Sequence, residues 1–132
     1  MRLTVNVDGG ARGNPGPAAI GVVVRDADGA VLEEVSEAIG VSTNNVAEYR
    51  ALLRGVAAAR ELGAVELEII GDSELVARQL TGQYRVKNAA LKSLRERVLH
   101  ALNGVRWTIR TVPRAQNSRA DHLVNAALDR AH

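Results

Sequence analysis

The chain has 132 residues, no cysteine and a formal net charge of +2, the size of one domain that can bury a core without disulfides or structural zinc. The missing cysteine excludes a disulfide frame, a thiolate metal site and a nucleophilic thiol, and it fits a reducing compartment. No apolar run approaches the ~20 residues that cross a membrane, and the opening MRLTVNVDGG reaches Asp and Gly too early for a signal peptide. The expectation is a cytoplasmic protein with one domain over residues 1–132.

LTVNV alternates apolar and polar residues up to Asp8, and GGARGNPGPA then supplies four Gly and two Pro, so a strand is expected to end at Asp8 and give way to a loop. AIGVVVRD and AVLEEVSEAIG flank DADG, whose Asp-Gly pair signals a hairpin, which makes the second and third strands antiparallel. Val46, Leu52, Leu53, Val56, Ala59 and Leu62 follow helical spacing, with Gly63 as the stop. VELEII reads as a fourth strand ending at Gly71-Asp72. A short helix over 74–80, a glycine-containing loop and a basic helix from about 89 to 102 follow. VRWTIRTV alternates as a fifth strand, and residues 120–131 read as a closing helix. The order implies a mixed sheet with helices available for both faces. Ligands of such sheets commonly sit at the carboxyl ends of parallel strands.

Four acids stand at element ends or beginnings, in VDGG (Asp8), TNNVAEY (Glu48), IIGDS (Asp72) and SRADHLVN (Asp121). If the first and fourth strands are adjacent and parallel, Asp8 and Asp72 meet at one edge. Clustered carboxylates repel unless a cation or proton compensates them, and carboxylate oxygens are the ligands that hard divalent ions prefer. Plainer readings exist for each acid. Glu48 lies three residues after Asn45, and Asp121 three after Ser118, the spacing of a capping box; Asp8 and Asp72 could be turn acids. The cations are unevenly spread: from Arg78 to Arg119 there are ten Lys or Arg and one acid, Glu96. That stretch is either a set of solvated helix faces or a surface for a polyanion.

The segments DGGARGNPGPAAIG, STNNVAEYRAL, IIGDSELVARQL, YRVKN and VPRAQNSRADHLVNAAL resemble, in order and over nearly the whole chain, the motifs of the type I ribonuclease H family. The resemblance implies a ribonuclease H-like α/β fold, a five-stranded mixed sheet in the order 3-2-1-4-5. It also implies metal-binding and catalytic roles for Asp8, Glu48, Asp72 and Asp121. The reaction implied is endonucleolytic hydrolysis of the RNA strand of an RNA-DNA hybrid, leaving 3'-hydroxyl and 5'-phosphate ends. Two Mg2+ (or Mn2+) ions ~4 Å apart would activate water and stabilise the leaving oxygen without a covalent intermediate. The loop with Gly9, Gly10 and Asn14, together with Thr43, Asn44 and Asn45, would contact the hybrid. Helix capping and turn formation are the competing uses of these residues.

Two departures stand out. The loop PRAQNSRAD lacks the histidine that many relatives carry, leaving Arg114 as the stand-in, which can stabilise charge but cannot act as a base at neutral pH. None of His100, His122 and His132 is expected to have a role. The interval from Gln79 to Leu91 is too short for the Trp-rich basic protrusion of some relatives, which shifts the expectation to Arg85, Lys87, Lys92, Arg95 and Arg97. Glu74 is an additional acid beside Asp72. A monomer is expected, and the alternatives are a same-fold nuclease that also acts on double-stranded RNA and a non-catalytic hybrid-binding domain, the latter weakened because such domains usually lose an acid and this chain retains all four. A 3'-5' exonuclease is disfavoured because Asp8 is followed by Gly-Gly rather than by x-Glu.

Overall fold

The computed structural model describes residues 1–131; His132 lies outside the described residues. The elements are β1 (Arg2–Ala11), β2 (Gly16–Arg25), β3 (Val31–Ser42), α1 (Asn44–Glu61), β4 (Glu66–Gly71), α2 (Glu74–Leu80), α3 (Ala89–Ala101), β5 (Arg106–Thr111), a 3-10 turn (Arg114–Asn117) and α4 (Ser118–Arg130). The sheet order is β3-β2-β1-β4-β5, as expected. β1 runs antiparallel to β2 and parallel to β4, and β4 runs parallel to β5.

Local chemistry explains most boundaries. At the β2–β3 turn, Asp26 Oδ1 accepts the Asp28 and Ala30 N–H groups, each at 2.9 Å, and Gly29 adopts φ +87°, which side chains rarely tolerate. α1 begins at Asn44, two residues before its first apolar position, because Thr43 is the N-cap and its Oγ1 accepts the Val46 N–H at 3.3 Å. Its C-terminal glycine, Gly63, is left-handed at φ +95°, as a helix stop requires.

One expectation needs correction. Asp8 does not close its strand: β1 continues through Gly9, Gly10 and Ala11, which pair with Ile20, Ala19 and Ala18. Only the parallel partner stops earlier, with Asn6 opposite Ile70. Glycine usually interrupts a strand, but here β2 continues the ladder.

The sheet separates two apolar layers. Leu3, Val5, Val7, Leu52, Val56, Leu67 and Val98 belong to the larger one, beneath α1 and α3. The smaller contains Ala19, Val124, Ala127 and Leu128, where α4 covers the opposite face. Trp107, on β5, packs against the larger core. Among the described residues no helix is long and apolar enough to cross a membrane.

Candidate active site

Asp8 and Asp72 both lie just beyond the point where β1 and β4 cease to pair: Asp72 directly follows the end of β4, and Asp8 sits where β1 runs on paired with β2 alone. Glu48 comes from α1, and Gly9 determines how closely that helix approaches. A Cβ on Gly9 would overlap the Ala47 carbonyl and the Glu48 nitrogen, so only glycine lets the helix backbone lie against the strand. The Gly9 N–H then donates to Glu48 Oε1 at 3.3 Å. Oxygens of Asp8, Glu48 and Asp72 lie within 4.8 Å of one another. Asp121 arrives on the first turn of α4. That helix lies flush on β2 because Gly21, the cross-strand partner of Asp8, has no side chain to meet the Ala120 carbonyl. All four acids line one cleft of about 420 Å³, together with Arg12, Asn44, Asn45 and Arg114.

These positions rule out the plainer readings of three acids. Asp8 is in a strand, not a turn. Glu48 does not cap α1, since Thr43 does, and its carboxylate is spent on Gly9. Asp121 caps nothing through Ser118: the N-cap of α4 is Asn117, which makes no side-chain capping bond. Asp121 Oδ2 instead accepts a long 3.5 Å bond from Asn125 Nδ2.

The electrostatics follow from burial. Asp8 is 5% exposed and Glu48 8%. Loss of hydration, followed by the charges of Asp72 and Asp121, pushes the Asp8 carboxyl up to about 7. Burial and the neighbouring Asp8 and Asp72 push Glu48 up to about 9. Metal-free, the cluster retains protons near neutral pH. Asp72 Oδ2 is buried and accepts no hydrogen bond, the one such side-chain atom among the described residues. A buried carboxylate oxygen without a donor, among two other carboxylates, suits a hard divalent cation. Glu74 does not join this set: it is exposed and pairs with Arg78 at 3.1 Å.

The residues expected to touch a substrate mostly brace one another. Asn14 Oδ1 accepts the Asn44 N–H at 3.0 Å, and Asn44 Oδ1 accepts the Ala11 N–H at 2.8 Å, tying the β1–β2 loop to the start of α1. Gly10 and Asn45 line the cleft, and Thr43 is the helix cap. The basic stretch divides similarly. Arg95 turns inward, donating to the Gln79 carbonyl at 2.7 Å and the Leu80 carbonyl at 3.4 Å. Arg85, Lys92 and Tyr84 line a separate cleft of about 750 Å³, and the Arg78 guanidinium lies 5.4 Å from the Tyr84 ring centre. Sequence reading missed Asn117 and Gly21. Only the spacing of Asn117, one helical turn before Asp121, hinted at its importance.

The strand order, with carboxylates just past the last paired residues of the central parallel strands, defines the ribonuclease H-like class of α/β protein. The family described as "Reverse transcriptase-like" matches residues 6–127. Ribonuclease HI of Halobacterium salinarum is 46% identical over 98% of this chain. The crystal structure of RNase H1 from that organism superposes with a TM-score of 0.95, at 45% identity, covering 98% of each chain. The bifunctional protein Rv2228c of Mycobacterium tuberculosis is 45% identical over 99% of this chain. LC11-RNase H1, isolated from compost by a metagenomic approach, was crystallised in complex with an RNA/DNA hybrid; that structure matches with a TM-score of 0.93 at 44% identity, covering 98% of each chain. The chain spans 66% of the Halobacterium relative and 36% of the mycobacterial one. It belongs to the type I ribonuclease H family.

Proposed function

We propose that residues 1–132 form a single catalytic domain, a monomeric cytoplasmic endoribonuclease that hydrolyses the RNA strand of RNA-DNA hybrids and leaves 3'-hydroxyl and 5'-phosphate ends. The observation that carries this reading is the trio Asp8, Glu48 and Asp72, with oxygens within 4.8 Å and a buried, unpartnered Asp72 Oδ2, opening into a cleft that Asp121 shares. The hybrid bound to LC11-RNase H1 supports the substrate.

In this reading Asp8, Glu48, Asp72 and Asp121 hold two Mg2+ or Mn2+ ions. When bound, such ions supply an activated water and charge stabilisation at the scissile phosphate. The chain does the positioning. Gly9 fixes the Glu48 carboxylate through its N–H, and the Asn14–Asn44 brace holds the loop that flanks the cleft. Gly10, Thr43, Asn44 and Asn45 face the nucleic acid, where a 2'-hydroxyl distinguishes RNA from DNA. Arg114, on the cleft wall, holds a phosphate or stabilises developing charge and does not act as a base. Arg85 and Lys92 neutralise backbone phosphates.

The test is cleavage of a labelled hybrid by the wild type and Asp72→Asn, with Mg2+, Mn2+ or EDTA, with duplex RNA and single-stranded RNA alongside. Internal cuts in the hybrid's RNA strand that need metal and Asp72 support the proposal. An intact hybrid under both metals would move the assignment to a hybrid-binding domain, and equal cutting of duplex RNA would widen the substrate class.

A further inference from the structure

The four acids come from β1, α1, β4 and α4, and three of those elements belong to the larger layer or the centre of the sheet. α4 is the exception. It reaches the site from the opposite face, over the smaller apolar layer, yet it delivers Asp121. Something must fix its first turn relative to β1.

Asn117 is placed to do so. It is 2% exposed, and both ends of its carboxamide are used. Nδ2 donates to the Val7 carbonyl at 2.9 Å, one residue before Asp8. Oδ1 accepts from Asn6 Nδ2 at 3.1 Å, and Asn6 Oδ1 in turn accepts from Arg25 Nη1 at 2.9 Å. Two residues further on, Arg119 grips Glu34 of β3 with bonds of 2.6 and 2.8 Å. The junction is thereby tied to three strands. On the helix side, Asn117 ends the 3-10 turn that begins with Arg114, and Asp121 follows one turn later.

The use of the amide is informative. Asparagine at an N-cap ordinarily bonds the free N–H groups of its own helix, but Asn117 makes no such bond. Its hydrogen bonds run to β1, so they serve the placement of α4 rather than the stability of α4 as a helix. Gly21 provides the matching contact, letting the Ala120 carbonyl approach directly across from Asp8.

From this we infer that Asn117 is a positioning residue, setting Asp121 and Arg114 against the Asp8–Glu48–Asp72 trio and so tuning divalent-cation binding. The inference rests on the reading above that the acids hold divalent cations. Outer partners that orient metal ligands typically change affinity or activity by about 10- to 100-fold when removed.

The experiment titrates Mn2+ into wild type and Asn117→Ala by calorimetry, without substrate, and measures kcat and KM on hybrid. Val98→Ala, a core truncation in α3, serves as a control for general destabilisation. Asn117→Ala is expected to weaken Mn2+ binding about tenfold and to lower kcat about tenfold, with KM within about twofold, while Val98→Ala leaves Mn2+ affinity at the wild-type value. Wild-type Mn2+ affinity in folded Asn117→Ala, or equal weakening in Val98→Ala, would overturn the inference. If Asn117→Ala is unfolded at the assay temperature, Asn6→Ala decides, since it frees one end of the amide and leaves the Val7 bond. About threefold weaker Mn2+ binding supports positioning, and no change rejects it. Because calorimetry needs no hybrid, a wild type that binds Mn2+ but fails to cut hybrid would overturn the proposed activity and leave this result standing.

Discussion

Two clefts of the molecule, one acidic and one basic, are built in opposite ways. The acidic one, about 420 Å³, draws its carboxylates from four elements spread over most of the chain. The basic one, about 750 Å³, is local, lined by residues between Gly82 and Arg95. Like charges buried together must be forced into place, and the force is visible: Gly9 and Gly21 remove side chains where helices press on strands, and Asn14, Asn44 and Asn117 tie loops and helices across long sequence separations. Cations displayed to solvent need no such framework. Within the basic cleft, the firmly held guanidinium is Arg95, whose bonds go to the end of α2. The acidic cleft is preorganised, whereas the basic one presents adaptable side chains.

That contrast sets an order of expected effects. Asp72→Asn should lower hybrid cleavage by about 10³-fold. It should also raise the metal-free melting temperature, because it removes charge from a crowded site. A variant that retained activity would mean that the trio is not the reacting centre.

Gly9→Ala should cost about 3 kcal/mol of stability, since its Cβ has nowhere to go between β1 and α1. Gly10→Ala, with its nearest neighbour at 3.9 Å, should stay within about 0.5 kcal/mol. Denaturant unfolding of the pair measures how far the framework of the acidic cleft differs from its open wall.

The pH response should follow the buried acids. In the unfolded chain Asp8 and Glu48 titrate near their ordinary values of 3.8 and 4.5; in the metal-free fold they hold protons up to about 7 and 9. Between those limits folding takes up protons, so raising the pH destabilises the native state. In EDTA the melting temperature should fall steadily from pH 5 to pH 8. Saturating Mg2+ should flatten the curve, and Asp72→Asn should make it shallower. A metal-free curve that rises over this interval would contradict the buried, protonated cluster.

Smallest of all should be the effect of Arg85→Ala with Lys92→Ala: a KM raised about threefold at physiological salt, a slope of log KM against log salt reduced by about 1.5, and an unchanged kcat. A loss in kcat instead would mean that the basic cleft is coupled to the chemistry.

Much of this was legible in the residues. Alternation and helical spacing located all five strands and four helices, and the carboxylates at element boundaries indicated one site. The failures share a cause. Asp8 was expected at a strand end because Gly-Gly reads as a break, while the cross-strand partners Ile20 and Ala19 that keep it paired are remote in sequence. For Glu48 the spacing from Asn45 left capping as a competing reading, which only the structure removes by giving the cap to Thr43. Asn117 gave almost no signal, because an asparagine before a helix reads as a cap and its two partners lie on β1, about a hundred residues upstream. Periodicity reports local structure; it says nothing of which distant group accepts a hydrogen bond.

The docking of α4 also bears on the order in which the chain comes apart. Its apolar layer is the smaller of the two, and the polar bonds that tie its start to β1 and β3 span sequence separations of 85 to 111. Long-range contacts over a small interface open before a central sheet does. Native-state hydrogen exchange should therefore release the α4 amides at a lower free energy than those of β1 and β4, and a sub-global opening would disperse the acid cluster while most of the protein remained folded.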